Sequence, residues 1–287
     1  SAVLTGKNLD KNGLPLKFVR EGNVWWITYP FHELTTGESY SVMLWYHGRP
    51  REAVHPPWDG GFSWSHDDNG KLWLSVSCQG LGASVWWPCK DAQWDEPDNG
   101  MVNRFYIPGY HTISNCREIK TGASSSVETG LSGWEVKNPI NNYDVTFYIG
   151  DYVHWHDTLM GEKGKLDLDY WVLHDNEAKA KKQFEVVKSM IHCYEYWLGP
   201  YPFYEDGYKL VEAPYLGMEH QGAIAYGNHY QMGYRGYDRS KTGYGLSFDY
   251  IIIHESGHEW FGNNVTAADA SGEWIHEGIT TYSEGLF

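Results

Sequence analysis

The sequence predicts an α+β protein in which a β-rich N-terminal domain, residues 1–174, precedes a mixed α/β domain, residues 175–287. Three observations predict it. From about residue 20 to 173 the chain runs as short alternating stretches broken by Gly, Asn, Asp and Pro. Near residue 174 the apolar period changes from two to between three and four. Past about residue 245 a further helical pattern carries the run HESGHEWFGNN, residues 254–264.

Taken in order, the elements follow from spacing. KLWLSVSC places Leu72, Leu74, Val76 and Cys78 on one face of a strand, and YSVMLWYH and YDVTFYIGDYV alternate in the same way. In HDNEAKAKKQFEVVKSMIHCYEYWLGP, residues Phe184, Val187, Ile191, Tyr194 and Leu198 repeat at helical spacing. They predict one helix of roughly six turns, which Gly199-Pro200 stops. YKLVEAPYLGMEHQGAIAYGN reads as strand-like pieces. A Gly-rich connection follows, then a helix near 245–262 and a last helix near 273–287. There is no internal repeat or low-complexity tract.

Composition narrows the function. With 287 residues and 41% hydrophobic content the chain can build real cores. Its 15 Trp, most of them before about residue 210, and its 22 Tyr suit sheet packing or exposed ligand platforms. A net charge of −15 with no Lys/Arg cluster repels phosphate backbones and anionic headgroups, so nucleic acid is not expected as a partner. No apolar run approaches the ~18 residues of a membrane helix, and the opening SAVLTGKNLD, without Met or a signal core, reads as a trimmed N-terminus. Cys78, Cys89, Cys116 and Cys193 lie far apart, which fits neither a zinc knuckle nor a disulfide scaffold.

The chemistry concentrates in HESGHEW. Residues i and i+4 share one helix face, so His254 and His258 can offer imidazole nitrogens to a single ion. Glu255 points beside that ion, where a carboxylate can accept a proton from water that zinc has acidified. By chance, His-Glu-x-x-His arises in about one such chain in twenty. GEWIHEGITTYSE adds Glu277 after 18 intervening residues from His258, which makes the combination far rarer, on the order of one chain in three hundred. Two His and one Glu leave a tetrahedral position open, as a catalytic Zn2+ requires. The second ring N–H of each His should go to a carboxylate or carbonyl, and Glu284, seven residues past Glu277, is a candidate.

HESGHEW with Glu277 in WIHEGITTY resembles the zinc signature of the gluzincin aminopeptidases of the aminopeptidase N and leukotriene-A hydrolase type. Upstream, LGMEHQG resembles that family's Gly-x-Met-Glu-Asn segment. SVSCQG and WWPCKD resemble the part of its β domain that reaches the active site, and NPINNYDVTFYIGDY and WFGNNVT also match family segments. The resemblance covers roughly residues 20–287. It implies a saddle- or sandwich-like N-terminal β domain and a truncated thermolysin-like catalytic domain. It also implies one zinc ion on His254, His258 and Glu277, with Glu255 as general base and peptides with a free N-terminus as substrates. By the same resemblance Glu219 and Gln79 take the substrate α-amine, which is mostly protonated at neutral pH. It further implies that residues 214–220 run as an edge strand, where Gly217 and Met218 would meet substrate backbone.

Some positions depart from the family. His220 and His276 stand where it has Asn, and both read as structural replacements rather than ligands. By the same resemblance, the tyrosine that stabilises the tetrahedral intermediate is expected beyond Phe287 and the first β-domain strands before residue 1. Loss of such an oxyanion group implies turnover lowered by about 100- to 1000-fold. Two other readings remain open: a gluzincin endopeptidase without an amine anchor, and a non-catalytic zinc module binding peptides or glycans through its aromatic residues.

Overall fold

Strands are the main regular structure among the described residues before 174. The computed structural model describes residues 2–5, 14–29, 36–93, 95–119 and 128–287, which divide into two units, Ser1–Arg49 and Pro50–Phe287. The first unit holds an antiparallel sheet in the order Leu14–Pro15, Ala2–Thr5, Ser41–Leu44 and a hairpin of Lys17–Glu21 with Val24–Thr28.

The second unit holds every candidate site residue. In its antiparallel four-stranded sheet, Gly61–His66 and Leu72–Ser77 pair, and Phe147–Ile149 joins Leu72–Ser77 to Thr112–Ser114. Leu74, Val76 and Cys78 are buried as alternation predicts. Ser75 is buried as well, its hydroxyl 3.0 Å from the Tyr215 hydroxyl, because this end of the sheet is covered on both faces. Gln79 follows that strand directly.

The central sheet comprises β1 (Tyr152–Gly161), β2 (Gly164–Leu173), β3 (Tyr208–Glu212), β4 (Gly217–Met218) and β5 (Ile224–Tyr226), in the order β1-β2-β3-β5-β4. β2, β3 and β5 run parallel, while β1 and β4 pair antiparallel. The 174/175 position falls inside this sheet, at the end of β2. One face of β2, Leu166, Leu168, Tyr170 and Val172, packs on the helical side with Phe184, Val187, Ile191 and Tyr194. Trp171 on the other face joins Val211 and Met218. β4 is the terminal strand, a shorter edge than the expected 214–220.

The expected six-turn helix is two helices, α1 (Glu177–Gln183) and α2 (Val186–Leu198). The apolar spacing runs unbroken across the junction, so the pattern cannot reveal it. The Phe184 ring instead enters an aromatic group, with centroids 5.1 Å from Tyr226, 5.7 Å from Tyr170 and 6.1 Å from Trp155. Gly199, at φ 91°, ends α2 where the sequence places the stop. Two further helices, α3 (Tyr250–Gly257) and α4 (Glu277–Glu284), are shorter than the expected 245–262 and 273–287. Beyond Gly257 the hydrogen bonds widen to five residues, from Asn263 N–H to His258 C=O and from Asn264 N–H to Glu259 C=O.

Candidate active site

α3 is fixed at both ends. Asp249 caps it by accepting from the Ile251 N–H at 3.1 Å, and the same carboxylate accepts from Tyr226 (2.6 Å), Asn228 (2.7 Å) and Gln183 (2.9 Å). Tyr250 and the three isoleucines that follow it are buried. A Cβ at Gly257 would stand 3.0 Å from Thr280 Cγ2, so this glycine lets α3 and α4 approach closely.

That approach brings the predicted ligands together. His254 and His258 face each other with Nε2 atoms 3.3 Å apart, and Glu277 Oε2 lies 3.5 Å from the first and 4.0 Å from the second. Ligand atoms about 2.0–2.1 Å from a tetrahedral zinc stand roughly 3.3–3.5 Å from one another. The donor set and its spacing therefore fit one such ion. Glu219, Glu255 and His258 form a second cluster whose ligand atoms also lie within 4.8 Å of one another. Both of its carboxyls are buried, and it offers one histidine where the first cluster offers two.

The remaining ring nitrogens are occupied as metal-ligand histidines require. His254 Nδ1 lies 2.6 Å from Glu284 Oε1, and His258 Nδ1 lies 3.0 Å from the Phe261 carbonyl. Each Nδ1 is thereby placed to donate, so in a neutral ring it is Nε2 that offers a lone pair to a cation. Glu284 is placed in turn by the Tyr250 hydroxyl at 2.7 Å, whose ring stacks on His254. Burial opposes charge on His254, but Glu277 and Glu284 hold its pKa well above the usual value. Burial, and then His254, depress His258 to about 3. The hydrogen bond with His254 draws Glu277 down to about 2. Glu284→Ala is expected to weaken zinc binding by about 10- to 100-fold without unfolding the chain. Chelator competition followed alongside circular dichroism measures both.

Glu255 is buried beside the triad, and burial, reinforced by Glu277 and Glu284, raises it to about 7. Gly217 of β4 makes room for it: a Cβ there would stand 2.5 Å from Glu255 Oε1. Met218 is turned inward among Tyr143, Tyr215 and Trp134. Glu219 is buried and raised to about 8 by burial, then by Glu255 and Glu277. Its Oε1 accepts from Gln79 Nε2 at 2.6 Å and from the Tyr143 hydroxyl at 3.3 Å, and its backbone carbonyl accepts from Asn263 Nδ2 at 2.7 Å. Gln79, Gly217, Glu219, His254, Glu255 and Glu277 line one open cleft of about 240 Å³.

The two histidines expected to be structural replacements are held by neighbours outside the ligand triad. His220 is buried, with Nδ1 3.0 Å from the Tyr148 hydroxyl, and His276 Nε2 accepts the Ala267 N–H at 2.9 Å. Sequence reasoning passed over Glu273, Tyr143 and the cap Asp249. Tyr143 and Glu273 both lay within quoted motifs, but they act on residues 76 or more positions away, Tyr143 on Glu219 and Glu273 on Gln79 and Gln93. The Asp249 cap is local, on the Ile251 N–H.

Comparison with known proteins bears out the resemblance. Residues 182–287 match the family model of the Peptidase family M1 domain. The chain is 23% identical over 278 residues to endoplasmic reticulum aminopeptidase 1 of Mus musculus, covering 90% of this chain and 28% of that protein. It is 26% identical over 277 residues to aminopeptidase Q of Homo sapiens, covering 88% of this chain and 25% of that one. It thus spans about a quarter of the length of the curated relatives it matches. Among solved structures it is similar to an M1 zinc metallopeptidase from Deinococcus radiodurans, with a TM-score of 0.75 at 19% identity, covering 100% of this chain and 61% of that one. It is also similar to leukotriene A4 hydrolase from Saccharomyces cerevisiae, with a TM-score of 0.67 at 17% identity and coverage of 99% and 40%. These likenesses agree with a β domain followed by a zinc-peptidase catalytic domain.

Proposed function

We propose that this chain, whose residues 182–287 match the Peptidase family M1 domain, is the zinc-binding part of an aminopeptidase that removes N-terminal residues from peptides. Residues 175–287 supply the one-ion site, His254, His258 and Glu277, with Glu255 as base and Glu219 as amine anchor. Residues 1–174 supply the second anchor, Gln79. A zinc ion held there would supply Lewis acidity toward a carbonyl and toward water.

The protein groups supply the rest. Glu255, near 7, can take a proton on its carboxylate from the attacking water and return it to the leaving amine. Glu219 and the Gln79 carbonyl oxygen hold the α-ammonium, and the edge strand at Gly217 and Met218 offers main-chain groups to an extended peptide. One observation carries the aminopeptidase reading over the endopeptidase one. The Glu219 carboxylate stands in the same 4.8 Å cluster as the base Glu255 and the ligand His258, which leaves about one residue between the amine anchor and the reacting bond. No helix among the described residues is long and apolar enough to cross a membrane.

Comparison of free and N-acetylated aminoacyl reporters tests this reading. The free amine is expected to be hydrolysed with a kcat/KM at least about 100-fold higher, and Glu219→Ala should remove most of that preference. Equal rates on the two reporters, or a preference unchanged in Glu219→Ala, would refute it.

A further inference from the structure

A third carboxylate stands at the amine end of the cleft. Glu273, four residues before Glu277, accepts from Gln79 Nε2 at 3.1 Å through Oε1 and from Gln93 Nε2 at 3.3 Å through Oε2. Gln79 Nε2 also donates to Glu219 Oε1 at 2.6 Å. An amide nitrogen carries two hydrogens. Both are used on carboxylates, so the polar atom Gln79 has left for a ligand is its carbonyl oxygen.

We propose that Glu273 is a positioning residue that fixes the Gln79 side-chain amide with its NH2 toward the protein and its carbonyl oxygen toward the substrate α-ammonium. Either orientation of an amide occupies nearly the same volume, so packing alone does not choose between them. Two carboxylates on the nitrogen side do choose, because turning the amide over would set its oxygen against both of them. With Glu219 alone one N–H would remain unanchored, and the amide could rotate to present a hydrogen to the ammonium, a repulsive contact. The Gln93 amide holds Glu273 in turn, so the chain Gln93–Glu273–Gln79–Glu219 is a run of directed hydrogen bonds ending at the cleft. The proposal rests on the aminopeptidase reading.

Calorimetric titration of the zinc-loaded chain with the amides of leucine, arginine and tryptophan, each free and N-acetylated, provides the test. Glu273→Leu is expected to weaken the free amides about ten-fold and leave the acetylated ones unchanged. Glu273→Gln, whose carbonyl still accepts from Gln79, should stay within about three-fold of the parent. In a Gln79→Ala background Glu273→Leu should cost less than about two-fold, because a residue that acts through Gln79 has nothing left to position. Zinc content and thermal melting establish that each variant is folded and loaded. A Glu273→Leu variant that binds free amides as the parent does would overturn the proposal. So would a ten-fold loss that persists without Gln79, which would make Glu273 a direct contact. A parent that binds free and acetylated amides alike defeats the aminopeptidase reading itself, whereas one that discriminates while Glu273→Leu has no effect defeats this proposal alone.

Discussion

Glu255→Gln is expected to lower turnover of a free-amine aminoacyl reporter by about 100- to 10,000-fold, the range for removing a general base, while zinc content and fold stay as they were. The glutamine is isosteric, so the space that Gly217 leaves beside residue 255 remains filled. It cannot accept a proton from water at neutral pH, and the loss should therefore fall on kcat with KM little changed. Burial, with Glu277 and Glu284 nearby, raises Glu255 above a solvated glutamate in the metal-free chain, so the group lost is the basic carboxylate beside the triad. Steady-state kinetics beside metal analysis reads both halves. Turnover within about three-fold of the parent would remove Glu255 from the proton transfer.

The second large effect is expected at His258. His258→Ala should reduce bound zinc from about one ion per chain to a small fraction of that, and activity with it by at least about 1000-fold. His258 is buried and its Nδ1 is committed to the Phe261 carbonyl, so its Nε2 is held facing His254 and Glu277. The substitution also leaves that carbonyl one donor short and opens a cavity, for a stability loss on the order of 1–3 kcal/mol in the absence of metal. Chelation should inactivate the parent in the same way, and added zinc should restore the parent but not the variant. Rescue of His258→Ala by micromolar zinc would mean that the ion is held chiefly by other groups.

The order of these elements and the convergence of His254, His258 and Glu277 were legible because both depend on spacing along neighbouring elements. His254 and His258 need only one helical turn between them, and Leu74, Val76 and Cys78 need only alternation. Glu284 was also within reach, since it lies two turns along the helix that begins at Glu277. Interactions between distant segments were not legible. The break at Phe184 depends on rings from β1, β2 and β5 that no local pattern contains. Glu273 sits inside a quoted motif yet does its work through Gln79 and Gln93, 194 and 180 residues away in sequence. Gly217 was expected to meet a substrate backbone, and nothing local in the sequence showed that a Cβ there would also meet Glu255. The hairpin of β1 and β2 alternates like the strands before it, so nothing in its sequence shows that it pairs with β3 rather than with the upstream sheets.

Crystals grown with zinc and measured at the zinc absorption edge test the central claim most directly. The account predicts one strong anomalous peak bonded to Nε2 of His254, Nε2 of His258 and the Glu277 carboxylate, with Glu255 and Glu219 outside bonding distance. A peak instead among Glu219, Glu255 and His258, or none near α3, would contradict it.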